Sequence, residues 1–255
     1  MLRLFHHLNI MSILLIPVAP LSRTKSRLKD CFSAEQLGDL TIAMVKDLSA
    51  TLTNVNCFEH KIVYCQTPKI LEIAESYGLI GIKEKEINES KSFDEVIYRL
   101  NSIAIKQYKA LQTTIAFSDL VLINARNFYE IDSLIKENQL VVCPAIHSAG
   151  ISILSRNPPD IIPSSFSDPE TPSLVALINN ANYRGIEKLV IYDSFRAGFD
   201  VDIKQDLVLA YEYLKMFNLK NTEVYKFLNK NLKYSLKKLN ANNNRTFNLI
   251  NRKNN

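Results

Sequence analysis

Met11-Ser-Ile-Leu-Leu-Ile-Pro-Val-Ala-Pro-Leu-Ser-Arg-Thr-Lys-Ser-Arg-Leu28 is the stretch whose reading decides the fold. Its apolar run, Ile13–Val18, is too short to cross a bilayer and is bounded by prolines, so it reads as a buried first strand. A basic loop follows, and then a helix over Ala34–Thr51, introduced by a Ser33/Gln36 capping box. Upstream, Arg3 precedes the apolar run as in an export signal. Asn9, Ser12, Pro17 and Pro20 interrupt that run, however, and no small-residue cleavage site follows. Met11 stands just before the run, and residues 1–10 read as an N-terminal extension.

The same strand–loop–helix alternation continues outward from this segment. Strands are expected at Lys61–Cys65, Leu79–Ile82, Thr113–Phe117, Leu140–Ala145, Ile151–Leu154 and Lys188–Tyr192. Helices are expected near Ile70–Tyr77, Phe93–Leu111, Asn127–Glu137, Ser173–Tyr183 and Ile203–Phe217. Strands separated by helices argue for a single three-layer α/β/α domain with a mostly parallel sheet, spanning residues 11–218. In such sheets ligands collect at the carboxyl ends of the strands. Three polar features fall just after strands: the basic loop after the first, Asp119 after the fourth, and Asp200 with Asp202 after a late one. The pattern predicts that they meet in one cleft.

The net charge of +5 is unevenly distributed. Residues 219–255 carry nine Lys/Arg against Glu223 alone, or +8, which leaves about −3 for the rest. This asparagine-rich tail reads as a frayed, solvated terminus or as a weak attractor of nucleic acid or membrane surfaces. The folded part carries no basic motif interleaved with aromatics, so no nucleic-acid partner is expected there. Cys31, Cys57, Cys65 and Cys143 lack the spacing of a zinc site or a disulfide framework, which points to reduced thiols in a cytoplasm. His60 and His147 stand isolated and read as incidental.

Arg23, Lys25 and Arg27 recur at every second residue of a loop without glycine. A Walker loop and a dinucleotide fingerprint are thereby excluded, and any phosphate must be gripped by side chains and backbone N–H groups. A solvated basic turn is the alternative. Asp200 and Asp202 flank Val201, and two carboxylates at i and i+2 of extended chain repel unless one protonates or a cation sits between them. Mg²⁺ suits such a pair when phosphates and waters complete its shell. Asp202 could instead cap the helix that follows.

These segments together resemble a known family. Ile16-Pro-Val-Ala-Pro-Leu-Ser-Arg-Thr-Lys-Ser-Arg-Leu28 is similar to the opening of archaeal 2-phospho-L-lactate guanylyltransferases, the CofC family of coenzyme F420 biosynthesis. Ser118–Ile123, Arg156–Pro163 and Ser194–Leu207 resemble further segments of that family, in the same order. The resemblance implies a nucleotide-diphospho-sugar transferase fold and transfer of GMP from GTP to 2-phospho-L-lactate, giving lactyl-2-diphospho-5′-guanosine and pyrophosphate. It also implies that Asp119, Asp200 and Asp202 hold Mg²⁺ and that Arg23, Lys25 and Arg27 face the triphosphate, Lys25 with a catalytic part. Acceptor contacts are expected from Ser148, Ser152, Ser173 and Arg196, and a homodimer is compatible with the family. The chain departs from the pattern where a Gly-Gly-Gly-Thr-Asn stretch is replaced by His147-Ser148-Ala149-Gly150-Ile151. Ser167 follows Phe166 where glycine is usual, and Val121 replaces a proline. Transfer to another phosphorylated acceptor (phosphoenolpyruvate, 3-phosphoglycerate or a sugar phosphate) and a silent nucleotide-binding protein are the alternative readings.

Overall fold

Strand β1 (Ser12–Pro17) lies near the middle of a seven-stranded sheet and is buried along its whole length. The computed structural model describes residues 11–85 and 92–232, together with the backbone of 234–240 and 243–251. Residues 1–10, read as an extension, lie outside the described residues. The other strands of the sheet are β2 (His60–Cys65), β3 (Ile80–Lys83), β4 (Gln112–Ala116), β5 (Leu140–Pro144), β6 (Ile151–Arg156) and β7 (Leu189–Ile191), in the order β3-β2-β1-β4-β6-β5-β7. Every pairing is parallel except those of β6, which runs antiparallel to both β4 and β5. The reversal follows from chain length. Only six residues, 145–150, join β5 to β6, enough for a hairpin and too few for a parallel crossover.

Helices α1 (Ala34–Leu52), α2 (Pro68–Ser76), α3 (Phe93–Tyr108), α4 (Ala125–Glu137), α5 (Ser173–Tyr183), α6 (Phe195–Gly198), α7 (Lys204–Met216) and α8 (Glu223–Asn231) complete the domain. The expected α1 capping box is present, with Ser33 Oγ accepting from Gln36 N–H and the Gln36 side chain accepting from Ser33 N–H. The α3 helix stops at Tyr108, three residues before the expected Leu111, and the next residue, Lys109, turns the chain toward β4 with a left-handed φ of 57°. Two apolar layers flank the sheet: Leu14, Ile16 and Val63 face one side, while Ile13, Leu15 and Ile62 face the other. This alternation within a continuous apolar run makes the three-layer architecture.

The tail does not begin at residue 219. Helix α8 buries Val224 and Leu228 in a third apolar cluster with Leu40 and Met44 of α1 and Leu214 of α7. Asp47 of α1 accepts from the N–H groups of Glu223 and Val224 at 2.8 Å each, so an anion sits on the positive end of α8. Composition had suggested a frayed terminus because lysines dominate the count. The apolar positions Val224 and Leu228 are four apart, one helical face, and that spacing outweighs the charge. Beyond α8, β8 (Tyr234–Asn240) and β9 (Asn243–Asn251) pair antiparallel. No helix among the described residues is long and apolar enough to cross a membrane.

Candidate active site

The carboxyl ends of β1 and β4, the β5–β6 hairpin and the segment after β7 converge on one cleft. The loop after β1 is a turn followed by a single 3-10 turn at Ser26–Leu28, pinned to α1 by a buried 2.7 Å hydrogen bond between the Thr24 and Thr41 hydroxyls. Lys25 adopts a left-handed backbone, φ 47° and ψ 42°, which a side-chain-bearing residue enters at a cost of about 1 kcal/mol or more. Three acceptors offset that cost. The Lys25 ammonium donates to Asp119 Oδ2 at 2.5 Å, to the Val201 carbonyl at 2.7 Å and to Asp202 Oδ1 at 3.0 Å. Burial alone would lower the Lys25 pKa, but Asp119 and Asp202 more than compensate, and the net shift is upward. Arg27 reaches Asp202 Oδ2 at 3.5 Å from the exposed rim.

The segment carrying Asp200 and Asp202 is held from beneath. A Cβ on Gly198 would lie 2.6 Å from the Pro144 carbonyl oxygen, so only glycine lets this chain dock on the end of β5. Ile146 N–H donates to the Gly198 carbonyl at 2.8 Å. Asp206, almost fully buried, accepts from the N–H groups of Asp202 and Ile203 at 2.8 Å each, and its other oxygen meets His147 Nδ1 at 2.6 Å. Asp206 thus makes the reverse half of a capping box, holding the N–H of the N-cap Ile203, and Asp202 lies one residue outside the cap. The Asp202 carboxylate is left free to face the cleft, and His147 ties the hairpin loop to the aspartate segment.

Asp119, Asp200 and Asp202 all line the cleft, as expected from their strand-end positions. They do not yet form a metal cage: among the described residues, no three His, Cys, Asp or Glu side chains are arranged to hold an ion. The ammonium of Lys25 occupies the point between Asp119 and Asp202. Asp119 Oδ1 is buried without a hydrogen-bond partner. The Asp200 carboxyl is pushed up to about 7, first by burial and then by the negative charges of Asp119 and Asp202. An orphaned carboxylate oxygen beside a carboxyl that cannot ionise comfortably is a donor set suited to a hard divalent cation.

Two cavities meet at these carboxylates. The first, about 510 Å³, is walled by Pro17–Ala19, Thr24–Arg27, Thr41 and Ser118. The second, about 460 Å³, is walled by the hairpin residues Ala145 and Ser148–Ile151 with Phe166, Pro172, Ser173 and Asp200. Arg27, Phe93, Phe117, Asp119 and Asp202 line both. Of the other expected site residues, Ser148 and Ser173 line the second cavity, Lys25 lines the first and Arg27 lines both.

Three expected contacts fail. Ser152 is buried within β6, its hydroxyl donating to the Cys143 carbonyl at 3.0 Å and satisfying the sheet instead of a ligand. Arg196 donates to the Leu122 carbonyl at 3.3 Å and lies over the Phe217 ring at 4.0 Å, in the α6–α7 packing away from both cavities. Arg23 is exposed and lines neither cavity, because the loop turns instead of running extended and alternate residues no longer share a side. His147, expected to be incidental, instead pairs with Asp206, a residue to which the sequence assigned no role. Their only sequence signal was an acidic residue in the first turn of α7.

A family model described as guanylyl transferase CofC like matches residues 11–248. The chain belongs to this family. A 2-phospho-L-lactate guanylyltransferase of Methanocaldococcus jannaschii is 25% identical over 194 residues, covering 76% of this chain and 79% of that one. One of Methanobrevibacter ruminantium is 26% identical over 199 residues, covering 76% and 82%. Among solved structures, a Desulfovibrio desulfuricans G20 protein assigned to the nucleotide-diphospho-sugar transferases superposes with a TM-score of 0.68 at 14% identity, over 87% of this chain and 95% of that one. The 4-diphosphocytidyl-2C-methyl-D-erythritol synthase of Anaerococcus prevotii DSM 20548 superposes with a TM-score of 0.58 at 10% identity, over 81% and 97%. At such identities the structural likenesses bear on the fold alone, which is that of the nucleotide-diphospho-sugar transferases. The family makes the chain a nucleotidyltransferase.

Proposed function

We propose that the protein transfers GMP from GTP to 2-phospho-L-lactate, a reaction of coenzyme F420 biosynthesis, with release of pyrophosphate. The observation that carries this reading is the pair of cavities meeting at Asp119 and Asp202, with Lys25 on the side of the first and Arg27 at their junction. The triphosphate would lie in the first cavity against Arg27 and the backbone of 24–27, and the acceptor in the second against Ser148 and Ser173. An acceptor phosphate oxygen attacks the α-phosphorus in line. The bond to the β-phosphate oxygen breaks, and pyrophosphate leaves. A phosphate already ionised near neutral pH needs no general base, so catalysis is positioning and charge neutralisation.

Asp119, Asp200 and Asp202 are the residues that would hold Mg²⁺, which when bound supplies positive charge to the crowded phosphate oxygens. Lys25 is poised to exchange its carboxylate partners for phosphate oxygens when the triphosphate enters. Arg27, exposed at the junction, neutralises charge on the leaving group. Ser148 and Ser173 orient the acceptor. Another small phosphorylated acceptor is the second reading. For an acceptor without a carboxylate, such as a sugar phosphate, it is favoured by the walls of the second cavity, which offer two serine hydroxyls and Arg27 but no further cation.

Pyrophosphate release with GTP and Mg²⁺ is the test, comparing 2-phospho-L-lactate with phosphoenolpyruvate and 3-phosphoglycerate, and GTP with ATP and CTP. Turnover selective for GTP and 2-phospho-L-lactate supports the reading, and selectivity for another acceptor supports the second. Release with no pairing rejects both.

A further inference from the structure

Three aromatic rings line the second cavity, two of them shared with the first. Phe93 opens α3, Phe117 follows β4 two residues before Asp119, and Phe166 comes from the long loop between β6 and α5. Their ring centroids are 5.5 to 5.9 Å apart. Phe93 and Phe117 line both cavities, while Phe166 lines only the second. Such edge and tilted contacts hold rings in register, yet Phe166 sits on a segment without regular structure and needs another constraint.

Asp94 supplies it. Its Oδ1 accepts from the Ser164 hydroxyl at 2.5 Å and from the Phe166 N–H at 2.8 Å, and its Oδ2 accepts from the Ser167 N–H at 2.7 Å. The Asp94 N–H in turn donates to Ser167 Oγ at 3.1 Å. One carboxylate therefore gathers three donors from four consecutive residues some seventy positions away. The chain between those donors is turned by Ser165, at a left-handed φ of 57°, whose hydroxyl accepts from Asn180 Nδ2 of α5 at 3.0 Å. Ser173, the acceptor-side serine, donates to the Phe166 carbonyl at 3.5 Å. None of these groups belongs to the phosphate side of the site.

We propose that Asp94 is a positioning residue for the acceptor. By fixing Phe166 and, through its carbonyl, Ser173, it sets the wall against which a short apolar substituent of a small phosphorylated acceptor lies. The proposal rests on the transferase reading for its kinetic part and on the geometry alone for its structural part. Charge-assisted hydrogen bonds of this kind are the strong ones, and a small misplacement of a binding wall is costly to a positioned reaction.

The test compares Asp94→Ala, Asp94→Asn and Phe166→Ala in the full chain, with 2-phospho-L-lactate as the probe acceptor. Asp94→Ala should raise the acceptor KM about 10- to 100-fold while the GTP KM moves by less than about 3-fold. Asp94→Asn should fall between it and wild type, because an amide oxygen still accepts from Phe166 N–H. Phe166→Ala should reproduce the acceptor defect. Amide hydrogen exchange at Phe166 and Ser167 should quicken in Asp94→Ala and stay slow at the β1 amides. A purely structural role would instead raise exchange across the domain and weaken GTP equally. Equal effects on both substrates, or unchanged exchange at Phe166 and Ser167, would overturn the proposal. If wild type turns over no acceptor, the transferase reading fails, and the exchange result still decides whether Asp94 fixes this wall.

Discussion

Asp200→Asn should abolish transfer and yet make the substrate-free protein more stable above neutral pH. The Asp200 carboxyl rises from its ordinary 3.8 to about 7 on folding. At about 1.4 kcal/mol per pH unit, that rise corresponds to roughly 4 kcal/mol when the pH exceeds both values. The sign follows from proton binding. Below pH 4 the carboxyl is protonated in both states and costs nothing. Between about 4 and 7 the unfolded chain gives up its proton while the folded protein keeps it, so stability falls as pH rises. Above 7 the whole penalty is present. Asp200 is partly open to water, and the asparagine amide must itself be hydrated or paired, so about 1–3 kcal/mol is the expected gain at pH 8. Urea unfolding in the presence of EDTA, at pH 4.5 and pH 8, measures the difference between variant and wild type. Adding Mg²⁺ at pH 8 should stabilise wild type and leave Asp200→Asn nearly unmoved. A variant less stable than wild type at pH 8, or a difference independent of pH, would refute the account of Asp200 as a burdened carboxylate.

Three further substitutions probe the neighbouring groups. Lys25→Met leaves the largely buried Asp119 without its cation, while the more exposed Asp202 keeps Arg27, and should cost about 3 kcal/mol in a metal-free melt. Millimolar Mg²⁺ or Mn²⁺ should recover much of that loss, whereas a melt blind to divalent ions would argue that the carboxylates do not face a common point. Arg27→Ala should raise the GTP KM about 10-fold, equivalent to about 1.4 kcal/mol of a charge-assisted contact. Arg23→Ala should leave the GTP KM within about 2-fold, because its side chain lies outside both cavities; initial-rate kinetics on the pair decides whether the loop works through one arginine or two.

Which polar features reach the cleft was legible from sequence because strand ends are legible. The continuous run Ile13–Val18 and the β-branched segments around Ile62 and Ile115 announced strands, and in a mostly parallel sheet the residues just after them share one edge. Asp119 and Asp200/Asp202 were found that way. Ser152 was misplaced because serine in a strand interior looks the same whether it faces a ligand or a carbonyl. Arg196 and Arg23 were misplaced because charge suggests a partner without saying where the side chain turns. The helix α8 was hidden by its lysines, although Val224 and Leu228 carried the helical spacing.

The sequence by itself determined the strand–helix alternation, the one-edge convergence of the acidic residues and the family. These are properties of local periodicity and short motifs, set by contacts within a few residues of each other. Only the tertiary structure decided that Lys25 sits between Asp119 and Asp202, that Asp206 and His147 hold the aspartate segment, and that Asp94 ties α3 to Phe166. Apart from the local bonds of Asp206 to Asp202 and Ile203, those contacts join residues about sixty to nearly two hundred positions apart. Their strength comes from burial, which weakens the competition of water for a charged hydrogen bond, and burial exists only once the layers have packed.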